Sequence, residues 1–167
     1  PDTPQDPELQ QIEVLSKPLS YTETGSGRPV VAVHGIPATS RDFRWLDSAF
    51  VGRVRFFRLD LPGFGGSPPN DPLAPTFDMM GEAVAAFCEA VGIKDVLVVG
   101  HSMGGAIALD AATRTERITA LTLVNSSGPK QHRGTFPRTY RFLIGLTDIH
   151  PTIRRAMLNI CKPIAHR

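Results

Sequence analysis

Cysteine is nearly absent from the 167 residues: there are two, Cys88 and Cys161, with no CxxC pair and no metal-type spacing around them. That argues against a disulfide framework or a zinc site, so no metal and no cofactor are expected, and a reducing, cytoplasmic compartment is the default. Long apolar runs are missing too. No window approaches the roughly 18 residues of a membrane span, and no basic flank precedes an apolar run at the N-terminus. A soluble protein is expected, although a sequence that opens at Pro1 rather than Met leaves a removed targeting segment open. The last scarcity is local. Residues 129–167 hold 8 Lys+Arg against 1 Asp+Glu, whereas residues 1–128 hold 10 against 15. This split marks a boundary near residue 128 and not a nucleic-acid site, since a solvated basic helix face explains such a tail equally well.

What is present is enough apolar residue, 41%, for one domain with a real core. Residues 1–10, rich in Pro, Asp and Gln, read as a loose arm. Gln11 to Thr24 gives two short strands broken at Lys17-Pro18, and Gly25-Ser26-Gly27 reads as a turn. Val30 to Val33 is then a continuous apolar run, typical of a strand buried on both faces, and it ends at His34-Gly35-Ile36-Pro37. Phe43, Leu46, Ala49 and Phe50 recur at helical spacing behind Thr39 or Ser40 as cap, and a second buried strand, Arg55 to Leu59, ends at Asp60. After a Pro/Gly-rich loop, Phe77, Met80, Val84, Phe87 and Val91 define an amphipathic helix, with Thr76 to cap it, Asp78 in its first turn and Gly92 to stop it. Strand Val96 to Val99, a small-residue helix Ala106 to Ala112 and strand Ala120 to Val124 follow.

Strands alternating with helices imply an α/β fold, a mostly parallel sheet with helices on both faces. Ligands of such sheets bind beyond the carboxyl ends of the strands, where His34, Asp60, Ser102 and Asn125 all fall. Gly100-His101-Ser102-Met103-Gly104 sits between an apolar strand and a small-residue helix. The sharp turn this requires exposes the serine, and the glycines leave room where strand and helix backbones meet. A helix N-terminus beyond Ser102 offers its positive end, and the Met103 N–H, to a developing oxyanion. Alone, a GxSxG is as easily a glycine-rich turn without chemistry.

Three motifs in order remove that ambiguity. His34-Gly35-Ile36-Pro37, Asp60-Leu61-Pro62-Gly63-Phe64-Gly65-Gly66-Ser67 and Gly100 to Gly105 resemble the oxyanion loop, the post-strand loop and the nucleophile elbow of the α/β-hydrolase family. The resemblance covers roughly residues 10–128, with a core domain at 11–128 that holds the first six strands of that fold. It implies Ser102 as nucleophile, with the Ile36 and Met103 N–H groups as oxyanion donors. Family members with Asp at the elbow form alkyl-enzyme esters from haloalkanes or epoxides, whereas Ser102 implies an acyl-enzyme and a small ester or related carbonyl substrate. Carbon-carbon hydrolases and cofactor-free perhydrolases with a similar elbow stay open as alternatives, as does a non-catalytic small-molecule binding module.

The family's acid and base come late in its sequence, and no carboxylate stands at Asn125-Ser126-Ser127. His34, Gly35 and His101 are expected to line the site, His34 as a hydrogen-bonded structural residue and His101 turned away from the nucleophile. His132, His150 and His166, with Asp148 the only nearby acid, read as lid residues. Residues 129–167 resemble the start of the family's helical cap, which closes over the elbow. The triad acid and base are therefore expected in a missing C-terminal part, and Ala120 to Val124 is left as a bare sheet edge. A complementing C-terminal half or a second copy of the chain is the expected cover; docking of the basic tail on anionic lipid ranks last.

Overall fold

A computed structural model describes residues 6–50, 52–69 and 76–127. The segment expected as the start of a cap, 129–167, lies outside them. So do His132, His150, His166 and Asp148.

Six strands form one sheet: β1 Gln10–Val14, β2 Lys17–Gly25, β3 Arg28–Val33, β4 Val54–Leu59, β5 Val96–His101 and β6 Ile118–Val124, in the order β1-β2-β4-β3-β5-β6. The β1–β2 and β2–β4 pairs are antiparallel; β4, β3, β5 and β6 run parallel. The hairpin turns at Leu15-Ser16, both at positive φ (53° and 60°), so Lys17 and Pro18 belong to β2 and do not break it. Neither residue is one that usually marks such a turn, which is why its position was not readable.

The helices are α1 Arg44–Phe50, continuing a 3-10 turn over Ser40–Phe43, α2 Phe77–Ala90 and α3 Met103–Ala112. Thr39 and Thr76 cap the first two segments through their hydroxyls, and Gly92, at φ 72°, ends α2 as its sequence position suggested. Helix α3 begins directly after Ser102, earlier than the run of alanines indicated, because two glycines serve as its first turn.

Phe56 and Phe57 show how the layers are arranged. Neighbours on a strand face opposite ways. Phe56 stacks edge-to-face on Phe50 of α1 at 5.1 Å, and Phe57 on Phe87 of α2 at 5.6 Å. These two helices therefore cover opposite faces of the sheet, and α3 packs beside α2. Val30, Ala32, Phe43, Phe56 and Val99 fill the first layer, while Tyr21, Phe57 and Phe87 make the second.

Arg58, on the face of Phe56, is only 1% exposed. It is neutralised by Asp6 and by Asp47 of α1, each at 3.2 Å, and donates to the Ser40 carbonyl at 3.3 Å. Asp6 also pairs with Arg41 at 2.9 Å. The segment expected as a loose arm is thus tied down from Asp6 onward and enters the sheet at Gln10. Residues 1–5 lie outside the described ones. Among the described residues, no helix is long and apolar enough to cross a membrane.

Candidate active site

The chain leaves β3, crosses to β4 on one side, and returns past β3 to β5 on the other. Such a reversal opens a crevice at the carboxyl ends of the two central strands. Gly35 follows β3 and Ser102 follows β5, so both fall at this end of the sheet.

Ser102 has φ 54° and ψ −119°. A non-glycine residue in this region is strained and persists only where its surroundings hold it, a cost of order 1–3 kcal/mol. Here the glycines hold it. A Cβ on Gly100 would lie 2.5 Å from the Gly104 carbonyl oxygen and 2.6 Å from the Gly105 Cα, and one on Gly104 would collide with the carbonyl oxygens of Val33 and His34. The Ser102 backbone is fixed from β6 as well: its N–H donates to the Val124 carbonyl at 3.0 Å. Its own carbonyl accepts from the N–H groups of Gly105 and Ser127, each at 3.1 Å, and from the Ser127 hydroxyl at 3.2 Å.

The segment His34-Gly35-Ile36-Pro37 lies against this turn. A methyl on Gly35 would fall 2.9 Å from Ser102 Cβ and 3.4 Å from its Oγ, so only glycine brings the loop this close. The next peptide, Ile36-Pro37, is cis. Among the described residues, neither the Ile36 nor the Met103 N–H donates to a backbone partner, and Met103, first in α3, is one of the donors a helix start leaves over.

His34 is completely buried. Its Nε2 accepts the Leu61 N–H at 3.1 Å, so the proton resides on Nδ1 and is donated to the Gly35 carbonyl at 2.8 Å. Burial pushes its pKa down to about 4, against weaker upward pulls from the Gly35 carbonyl and Asp60. Both ring nitrogens are engaged, which makes His34 a structural neutral imidazole. His101, the last residue of β5, is exposed.

Asp60 is the second buried polar node. Its carboxylate accepts the Ser40 N–H at 2.8 Å and the Gly66 N–H at 2.9 Å, joining the segment after His34-Gly35-Ile36-Pro37 to the loop after β4. Its carbonyl accepts the Ser67 hydroxyl at 2.7 Å, which in turn accepts the Ser20 N–H at 2.8 Å. The sequence placed Asp60 at the site edge; the structure makes it a clamp. Its position at the head of a Gly-rich post-strand loop was the available signal. Ser127, by contrast, gave none: its grip on Ser102 spans 25 residues. Among the described residues, no group of three or more His, Cys, Asp or Glu side chains could hold a metal ion.

With a strained serine at a strand-to-helix turn and a glycine loop against it, the fold and the crevice define one class. The chain belongs to the α/β hydrolase fold family, whose sequence profile matches residues 28–144. It is 33% identical, over 76% of its length and 35% of the relative's, to the dihydrolipoyllysine-residue acetyltransferase component of the acetoin cleaving system of Pseudomonas putida. A haloalkane dehalogenase of Mesorhizobium japonicum is 34% identical over 74% of this chain and 40% of its own. The esterase EaEST of Exiguobacterium antarcticum matches in structure with a TM-score of 0.66 at 25% identity, covering 71% of this chain and 46% of the other. The chain thus spans less than half the length of these relatives.

Proposed function

We propose that the protein is a serine hydrolase that cleaves carboxylic esters of small or medium acyl groups through an acyl-enzyme on Ser102. The observation that carries this reading is the Ser102 backbone at φ 54° and ψ −119°, held between Gly100 and Gly104 with Gly35 against its side chain. Ser102 Oγ attacks the carbonyl carbon while a base takes its proton. The carbonyl oxygen becomes an oxyanion facing the Ile36 and Met103 N–H groups. Collapse expels the alcohol, which regains the proton from the base, and water then releases the acid and restores Ser102. Each oxyanion donor is worth about 10² to 10³ in rate.

The relative from Mesorhizobium japonicum is a haloalkane dehalogenase. Displacing halide from an sp³ carbon needs no oxyanion pair and suits a carboxylate nucleophile. A serine hydroxyl with Gly35 against it, and with Ile36 and Met103 N–H groups that donate to no backbone partner among the described residues, suits an acyl carbon, so we favour the reaction named for the Exiguobacterium antarcticum esterase. The base comes from outside the described residues, since His34 has both nitrogens engaged and His101 precedes Ser102 at the end of a strand, where adjacent side chains diverge.

The test is intact-mass spectrometry of the full-length protein before and after a fluorophosphonate probe, with Ser102→Ala as control. One adduct on the wild type and none on the variant is expected. An adduct that survives Ser102→Ala, or an unmodified wild type, would sink the proposal.

A further inference from the structure

Both N–H groups that face the oxyanion in the reading above belong to peptide units whose carbonyls are tied down on the far side. The Gly35–Ile36 peptide presents its carbonyl to His34 Nδ1 at 2.8 Å. The Ser102–Met103 peptide presents its carbonyl to the Gly105 and Ser127 N–H groups and to the Ser127 hydroxyl. The only cis bond among the described residues is Ile36-Pro37, so both units are trans. In a planar trans peptide the C=O and the N–H point in opposite directions. Fixing one fixes the other.

We infer that His34 and Ser127 are positioning residues that aim the two oxyanion donors from behind, a proposal that rests on the serine-hydrolase reading. His34 acts on Ile36. Its imidazole is anchored by the Leu61 N–H at Nε2 and packed edge-to-face on Phe64 at 5.0 Å, which leaves the Nδ1 proton a single direction, toward the Gly35 carbonyl. Only the neutral ring with its proton on Nδ1 makes both bonds. Ser127 acts on Met103. It follows β6 and reaches back with two donors to the Ser102 carbonyl, so the end of the sixth strand governs a donor at the start of α3. Neither side chain needs to touch substrate.

The experiment compares His34→Ala, His34→Gln and Ser127→Ala with wild type in the full-length protein, using p-nitrophenyl butyrate and its thionoester. Sulfur accepts hydrogen bonds poorly, so the thionoester is insensitive to donor alignment. For His34→Ala we expect kcat on the oxygen ester to fall about 10²-fold with KM held, while the thionoester loses less, so that the oxygen-to-sulfur rate ratio shrinks at least about tenfold. His34→Gln, which keeps a donor and an acceptor, restores part of the ratio. Ser127→Ala removes one of three donors and lowers the ratio by about fivefold; it also serves if the buried His34→Ala does not fold. Equal losses on both esters, or an unchanged ratio, would overturn the inference. If wild type turns over neither ester, the hydrolase reading falls. Residual dipolar couplings of the Ile36 and Met103 N–H vectors then judge the aiming alone. Reoriented vectors in His34→Ala or Ser127→Ala, with His34→Gln closer to wild type, support it; unmoved vectors in both alanine variants refute it.

Discussion

Strands β3 and β6 are written in nearly the same alphabet and live in different surroundings. In β3 the four residues Val30 to Val33 are all buried. In β6 only Ile118 is, and Leu123 and Val124 are 42% and 45% exposed. The difference is one of neighbours. Strand β3 lies between β4 and β5 with helices over both faces, whereas β6 pairs with β5 and, among the described residues, with no second strand. Apolar composition states what a strand requires; the elements beside it decide whether the requirement is met.

The largest test of this contrast is Phe57→Ala. Phe57 is fully buried in the centre of the sheet, and its truncation should cost about 3–5 kcal/mol, read from denaturant midpoints of the full-length protein. A cost below about 1 kcal/mol would mean that the centre is as loosely packed as the edge. A second test uses pH. His34, just past β3, has its pKa lowered to about 4 in the folded protein, against 6.5 in an unfolded chain. Between those values the unfolded state binds a proton that the native state refuses, so stability declines as pH falls from 6.5 toward 4, by about 3 kcal/mol in all. Above pH 6.5 the contribution is fully present. His34→Gln should remove this slope, and a slope that persists would assign it to other groups. The smallest effect is expected at the edge: Leu123→Thr should change stability by less than about 1 kcal/mol. A loss of about 3 kcal/mol there would show that the edge is covered in the complete protein.

Much of this arrangement was legible in the sequence. The strand-to-helix order, Thr76 and Gly92 at the ends of α2, and the positions of His34, Asp60 and Ser102 just past strand ends were readable, because each of these features is local. What stayed hidden depends on groups far apart in the chain. The tautomer of His34 is set by an N–H 27 residues away, the Asp60 clamp by an N–H 20 residues away, and the hold on Ser102 by Ser127. Such pairings leave no periodicity and no spacing rule. The hairpin turn at Leu15-Ser16 escaped for a different reason, since positive φ there is carried by residues that seldom adopt it.

Arg58 gives β4 something its aromatic neighbours cannot. Hydrophobic side chains tolerate exchange: Phe56 and Phe57 would each find an apolar layer if the strand slid by one position. A guanidinium would not. Displaced by one residue, Arg58 would be carried to the layer of Tyr21 and Phe87, and Asp47 and Asp6 would be left without their buried counter-charge. The cation therefore works as a key that fits the sheet in one alignment, and the crevice inherits its geometry from that alignment, because Asp60 can reach Ser40 and Gly66 only when β4 is seated where Arg58 permits.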